Sequence, residues 1–159
     1  MSQGDDIQVV VFRVGGQEFA FNIFHVLRIV PFETPARLPQ APSFLEGVIP
    51  GKGGVVPVID LRKRFSLPRA PVEEETRIMV LECDGTPVGA VVDHVVEVLR
   101  VAAARIAPPP PVVRGLAAAY IQGIITLPGR TIILLQTARV LTSAERLALD
   151  ARSAEPAHG

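Results

Sequence analysis

Short apolar runs alternate with glycine- and proline-containing breaks along most of the chain. Each run is about the length of a β-strand and is rich in Val and Ile. Two breaks, VGGQE and CDGTP, contain Gly-Gly and Asp-Gly, which supply the positive φ angles of hairpin turns. The pattern therefore predicts an antiparallel, all-β body. Its predicted strands are Ile7–Val14, Glu18–Ile23, Arg77–Cys83, Pro87–Asp93 and Thr131–Gln136.

A helical pattern is found near the C-terminal end. Thr142 and Glu145 have the spacing of a capping box, in which two side chains satisfy the first free N–H groups of a helix. A modest apolar stripe at helical spacing follows, formed by Ala144, Leu147, Ala148 and Ala151. The sequence therefore predicts a short helix over about residues 143–152.

The chain contains an internal repeat. Residues Phe44–Phe65 match Tyr120–Leu141 without a gap at an offset of 76, and Val11–Ile29 match Val80–Val98 at an offset of 69. The difference between the offsets fits an extra proline-rich connector in the second half. Because the same order of runs occurs twice, the chain is interpreted as a pseudo-duplication.

The repeat predicts a specific architecture. Each half carries about five strands, and a small sheet of short strands hides its edges best by curling into a barrel. We expect two five-stranded barrels, about residues 7–66 and 76–141, sharing one continuous hydrophobic core within a single domain, 1–159. Some exchange of strands between the halves is compatible with this prediction.

Composition narrows the class of protein. The chain has 159 residues, with 16 basic and 16 acidic side chains, one Tyr and no Trp. Balanced charge and few aromatic rings argue against nucleic-acid binding. A single cysteine and a polar N-terminus without a membrane-length apolar run favour a soluble cytoplasmic protein.

The stretch GVIPGKGGVVPVIDL, Gly47–Leu61, resembles a phosphate-binding loop only superficially. Three residues separate Gly47 from Gly51 where such a loop has four, and Gly53 follows Lys52 where a Ser or Thr is needed. A strand rather than a helix is predicted next, so the helix dipole is missing. The repeat mate TLPGRTI favours a hairpin turn at residues 50–54.

No catalytic or metal-binding constellation is evident. Asp93 and His94 are adjacent and point to opposite faces of a strand, and Cys83 has the pattern of a buried inert thiol. Three His and one Cys without clustered carboxylates make no metal site, so no cofactor is expected. Arg62 and Arg64 are interpreted as solvated surface residues that could also contribute to a protein interface.

Several motifs together resemble those of CheW-like domains. GVIPGKGGVVPVIDLRKRF is similar to the signature G-V-I-N-x-R-G-x-x-x-P-V-I-D-L-R-x-x-F, VVVFRVGGQEFAFNIFHVLRI resembles the opening hairpin, and PVGAVVDHVVEVLRV resembles the V-D-x-V-x-x-V segment. The resemblance implies a stand-alone, non-enzymatic double-barrel adaptor. It would couple the cytoplasmic tips of chemoreceptors to the regulatory domain of a CheA-type histidine kinase, at membrane-associated receptor arrays.

The resemblance also implies partner-binding residues. The positions that carry over are Val26, Gly47, Lys52, Gly53, Val95 and Val98. Family members use barrel ends toward the kinase and a groove between barrels toward the receptor. Pro50 and Lys52 replace the usual Asn and Arg, and Arg28 replaces a usual Glu, so we add Arg28 and Pro50 to the predicted partner-binding set.

Three hypotheses follow. The first is the coupling adaptor, with self-association of the pseudo-duplicated chain as a further option. The second is a specialised adaptor that binds receptor but engages the kinase weakly or differently, because Arg28 and Lys52 are both positive where opposite charges are usual. The third is a small β-barrel enzyme or ligand carrier that uses the cleft between the halves.

Overall fold

The computed structural model of the chain describes residues 5–109, 119–142 and 145. Within these residues the protein is built from strands joined by short turns. The strands are β1 (Asp6–Val14), β2 (Gln17–Asn22), β3 (Val26–Pro31), β4 (Leu45–Gly51), β5 (Gly54–Asp60), β6 (Arg77–Cys83), β7 (Thr86–Val92), β8 (His94–Ala102), β9 (Ile106–Ala107), β10 (Ile121–Leu127) and β11 (Arg130–Leu135). A short helix, α1 (Leu61–Arg64), follows β5, and 3-10 turns lie at Ile23–His25, Ala103–Arg105 and Thr137–Arg139.

The strands form two sheets, and each sheet takes a hairpin from the other half of the chain. The six-stranded sheet has the order β8-β1-β2-β11-β10-β9, and the five-stranded sheet has the order β3-β6-β7-β5-β4. Hairpin β1–β2 therefore joins second-half strands, and hairpin β6–β7 joins first-half strands. Sheet membership therefore does not follow the predicted barrels, about residues 7–66 and 76–141, because these two hairpins are exchanged between the halves. The single domain over residues 1–159 stays a prediction.

Equivalent strands pair in equivalent ways in the two sheets. β3 pairs with β6 with a register shift that leaves Leu27 unpaired, and β8 pairs with β1 with a shift that leaves Val96 unpaired. Leu27 and Val96 are 69 residues apart, which is the offset of the sequence repeat. β5 runs parallel to β7 as β11 runs parallel to β2. The pairings confirm the pseudo-duplication residue by residue.

Hairpins β4–β5 and β10–β11 use the same turn. Gly53 has a φ of +81° and Gly129 a φ of +71°, and neither Lys52 nor Pro128 before them has a positive φ. Of the two central residues of each turn, only the second has a positive φ, which is the pattern of a type II turn and favours Gly at that position. The prediction that Gly47–Leu61 contains a hairpin turn is confirmed.

The described residues form three hydrophobic clusters, one within each sheet and one between the sheets. Val9, Ile125 and Ile132 belong to a core within the six-stranded sheet, and Ile49, Val58 and Ile78 to one within the five-stranded sheet. The third core lies between the sheets and includes Phe12, Phe21, Met79, Leu81 and Leu135. Residues 9–12 of β1 are buried on both faces of the strand, and this part of its sequence is therefore continuously apolar instead of alternating.

The observed architecture confirms the all-β prediction, with two sheets around a shared core. Continuous strand pairing around either sheet is not seen in the described residues, so barrel closure is not shown. Thr142 and Glu145 form the predicted capping box: each backbone N–H donates to the other side chain, at 2.9 and 3.1 Å. The rest of the predicted helix, 143–152, lies outside the described residues. Within the described ranges, no helix is long and apolar enough to span a membrane.

Candidate functional site

The outer strands of the five-stranded sheet, β3 and β4, meet through a side chain. Arg28 Nη2 on β3 donates a hydrogen bond to the carbonyl oxygen of Pro50 on β4 over 3.4 Å. Both residues are exposed, and a bond of this length is weak. The contact brings Arg28 beside the β4–β5 turn, where Lys52 and Gly53 lie.

The surface around this contact combines positive charge with apolar side chains. Lys52 is exposed and makes no hydrogen bond or ion pair with any residue that the structure describes. Val55, which pairs with Pro50, is 63% exposed. Leu27 and Ile29 precede and follow Arg28 on β3 and are 54% and 40% exposed. Ile29 pairs with Met79 and so lies on the other face of the strand from Arg28, which pairs with Val80. We call the six residues Leu27, Arg28, Ile29, Pro50, Lys52 and Val55 the cationic end.

Val26 and Val95 occupy matching places in the two sheets. Val26 is the first residue of β3, and Val95 is the second residue of β8. Both are half-buried and pack against the core shared by the sheets. Val98, the equivalent of Ile29 at an offset of 69, is 50% exposed on β8. The predicted valines thus lie along the outer strands, with Val26 and Val95 at the margin between the sheets.

Gly47 has a clear packing role. It is buried on β4, where the backbone of Ala36 pairs with Val48, and a Cβ at Gly47 would collide with the carbonyl of Ala36. The same holds for its repeat mate, Gly123: a Cβ at this position would lie only 3.0 Å from the carbonyl oxygen of Ala107. The glycine is needed because another backbone segment approaches closely. Direct contact between Gly47 and a partner stays a prediction.

The corresponding end of the six-stranded sheet is closed by ion pairs. Arg130 donates from Nη1 to Glu97 Oε2 at 2.7 Å and from Nε to Glu18 Oε1 at 2.9 Å. These hydrogen bonds, that to Glu18 first, raise the pKa of Arg130. Arg13 lies 3.5 Å from Glu18 as well. Two cations and two anions therefore balance each other at this end.

The signature segment that follows β5 joins the sheets. The Asp60 side chain accepts a hydrogen bond from the Arg62 N–H at 2.9 Å and so caps α1. Arg62 binds Asp93 at two points, over 3.1 and 2.6 Å, and Asp93 also accepts the Gly15 N–H at 2.9 Å. Burial raises the pKa of Asp60, and the hydrogen bond to Asp93 raises that of Arg62. Sequence reasoning missed the ion pair between Arg62 and Asp93.

A cleft of about 360 Å³ lies beside the end of α1. Its walls include Phe19, Phe65, Tyr120 and Ile133, with Arg64 at its margin. Arg64 Nη2 donates to Glu145 Oε1 at 2.8 Å, so its charge is paired. The cleft is the candidate pocket for the ligand-carrier hypothesis. In the part of the chain that the structure describes, no group of three potential ligands could hold a metal ion.

Comparison with known proteins agrees with the sequence resemblance. The family model for the CheW-like domain matches residues 8–145. The chain is 33% identical over 143 residues to the chemotaxis protein CheW of Klebsiella aerogenes, covering 90% of this chain and 86% of that protein. It is also 33% identical over 141 residues to protein FrzA of Myxococcus xanthus, covering 87% of each.

A solved structure shares the fold. The crystal structure of the scaffolding protein TtCheW from Thermoanaerobacter tengcongensis aligns with a TM-score of 0.77 and 32% identity. The alignment covers 84% of this chain and 91% of that one. Sequence and fold therefore match the same group of proteins over most of their length.

Proposed function

Because this chain belongs to the CheW-like domain family, whose members are non-catalytic scaffolds, we propose that it couples chemoreceptors to a CheA-type histidine kinase. The observation that carries the proposal is the match of the family model to residues 8–145. The proposed place of action is a receptor array at the cytoplasmic side of a membrane. There the adaptor would hold receptor tip and kinase regulatory domain together.

The proposed receptor site is the margin between the two sheets. Val26 and Val95 lie there in equivalent positions, each partly exposed above the shared core. An apolar stripe of a receptor helix could cover both valines and the exposed Val98, as amphipathic helices do in apolar grooves. This leaves the two sheet ends for the kinase.

The proposed kinase site includes the cationic end. Exposed apolar side chains around a few charged groups are typical of specific protein interfaces. Phe24, in the turn before β3, is a further exposed apolar side chain, at 84%. Phe24, Leu27, Ile29 and Val55 supply contact area, whereas Arg28 and Lys52 would determine which partners bind.

Pairwise binding tests the proposal. The purified chain is titrated with a fragment of the cognate receptor tip and, separately, with the regulatory domain of the kinase from the same organism. The proposal predicts saturable binding to both. Binding to neither would reject it.

A specialised adaptor is the second candidate. Arg28 and Lys52 make the end of the five-stranded sheet positive, and this charge is the observation that favours altered kinase binding. In that case the receptor fragment binds normally and a kinase domain from a relative such as Klebsiella aerogenes binds weakly. Tight binding of that domain, unchanged by Arg28→Glu combined with Lys52→Arg, would contradict it.

The cleft beside Phe65 keeps the ligand-carrier hypothesis testable. Its volume of about 360 Å³ lies in the range of small-molecule sites. A thermal-shift screen distinguishes the two functions, because a ligand that binds only the folded state raises the melting temperature. Stabilisation by metabolites but not by receptor fragments would favour a carrier over the adaptor.

A further inference from the structure

The duplication allows the two sheet ends to be compared within one molecule. An offset of 69 places Arg28 of β3 at the position that Glu97 occupies on β8. Both follow the unpaired residue of the same register shift, so their backbones are equivalent. The side chains have opposite charge, which makes the two ends electrostatically different.

The end that contains Glu97 is electrically balanced. Arg130 lies 2.7 Å from Glu97 and 2.9 Å from Glu18, and Arg13 completes the set. At the cationic end, Arg28 donates only to the neutral carbonyl of Pro50, and Lys52 has no hydrogen-bonding or ionic partner among the described residues. No carboxylate of a described residue pairs with either of these two positive charges.

Exposed apolar side chains beside these charges indicate that a partner would cover them. An isolated surface cation is fully hydrated and needs no partner. Val55, however, is an exposed apolar residue that pairs with Pro50, the residue to which Arg28 donates its hydrogen bond. A binding partner that covers Pro50 and Val55 therefore also removes water from Arg28 and from Lys52 in the adjoining turn. Desolvating two cations without a counter-charge is costly. A partner that fits must therefore bring acidic groups.

A second copy of the chain fits poorly. Two cationic ends facing each other would bring four positive charges together. The other sheet end offers Glu18 and Glu97, but both carboxylates are already bound to Arg130. Neither of these two arrangements supplies an unpaired carboxylate, so charge complementarity at the sheet ends favours a different protein.

We infer that the cationic end binds a partner surface that presents an unpaired Asp or Glu among apolar residues. The inference rests on the proposed adaptor function and names the chemistry of its kinase partner: the facing surface of the regulatory domain is acidic. Arg28 binds that carboxylate, and Lys52 adds to the attraction from the neighbouring turn.

Charge reversal tests the inference. The wild-type chain and the variants Arg28→Glu and Lys52→Glu are titrated with the regulatory domain of the kinase from the same organism at low ionic strength. Each reversal should raise Kd at least roughly tenfold, because like charges would face each other in the contact. Higher salt should reduce the difference from wild type.

The matched control is Arg105→Glu. Arg105 is exposed in the turn Ala103–Arg105 and makes no hydrogen bond or ion pair with any described residue. The Arg105→Glu variant has the same change in net charge, but the change lies outside the cationic end. Its Kd for the kinase domain should therefore stay within about twofold of wild type. Exchange of the facing acid of the kinase domain for Lys should restore binding of Arg28→Glu.

The other outcomes are distinguishable. If wild type binds the kinase domain and the reversals change Kd no more than Arg105→Glu does, the inference is wrong and the adaptor function stands. If wild type binds neither kinase domain nor receptor fragment, the adaptor function itself fails. If sedimentation shows self-association that Arg28→Glu abolishes, a second copy is the occupant and the inference is overturned.

Discussion

Arg62 holds Asp93 in a two-point ion pair that joins the two sheets. Arg62 lies on α1, directly after the five-stranded sheet, whereas Asp93 binds the Gly15 N–H in the β1–β2 turn of the six-stranded sheet. Arg62 Nη1 also donates to the carbonyl of Pro68 at 2.9 Å. The signature segment therefore fixes how the sheets sit against each other, and with them Val26 and Val95.

Removal of this ion pair should destabilise the fold. Arg62→Ala leaves Asp93 with only the Gly15 hydrogen bond, and hydrogen bonds to charged groups contribute about 1.5–3 kcal/mol when protected from water. Since the side chains of Arg62 and Asp93 are 20% and 32% exposed, we expect a loss of about 1–2 kcal/mol. Urea unfolding measures it. Arg69→Ala, at an exposed residue, is the control, and an equal loss in both variants would contradict the assigned role.

Substitution of Gly47 by Ala should destabilise the fold more than the same substitution at Gly53, because another backbone segment lies close to Gly47. In Gly47→Ala the added methyl group meets the Ala36 backbone, which has no flexible end that could move away. Overpacking of this kind costs about 1–3 kcal/mol, in addition to the strain of a positive φ. Gly53→Ala meets open space and carries the φ strain alone, about 1 kcal/mol. Equal melting temperatures for the two variants would contradict this packing role.

Asp60 predicts a pH dependence of stability. Burial raises its pKa in the folded protein above its ordinary value of 3.8. Between that value and the folded pKa, the folded state binds more protons than the unfolded state, so the contribution of Asp60 to stability falls as pH rises. Asp60→Asn keeps a side-chain oxygen for the cap and removes the titration.

The comparison of wild type with Asp60→Asn isolates this group. The unfolding free energy of wild type relative to Asp60→Asn should be higher just above pH 3.8 than at neutral pH. Chemical unfolding at the two pH values measures the difference. A difference that is constant, or larger at neutral pH, would show that the folded pKa is not raised.

The charge balance at the Glu97 end predicts a cost for losing its central cation. Arg130→Gln leaves Glu18, whose side chain is only 12% exposed, without its strongest partner. Repulsion between Glu18 and Glu97 and the lost hydrogen bonds should lower the unfolding free energy by about 1–2 kcal/mol. High salt should diminish the loss. Arg105→Gln is the matched control, and an equal effect of both changes would refute the role of Arg130.

The sequence was sufficient to predict strands whose apolar character follows from burial. β1 and β6 are buried on both faces, and their continuous Val- and Ile-rich runs identified them within about one residue. The repeat identified equivalent strands. It could not show which hairpin joins which sheet, because β1–β2 and β6–β7 are equivalent and either could pair with β3 or β8.

The contacts within the candidate site could not be predicted from the sequence, because they join residues that are far apart along the chain. Arg28 and Pro50 are 22 residues apart in sequence, and only the folded sheet brings them together. The ion pair between Arg62 and Asp93 depends on tertiary structure as well. One signal was available: Asp93 stands where the repeat has Phe24, and this departure from the repeat marks an added function for that position.

The central claim is that this chain bridges receptor and kinase, and a co-sedimentation assay tests it most directly. Membranes carrying the cognate receptor are mixed with the kinase regulatory domain, with or without the purified chain, and then pelleted. The account predicts that the kinase domain enters the pellet only when the chain is present, in proportion to the chain bound. If the chain leaves the amount of pelleted kinase domain unchanged, it is not the coupling adaptor.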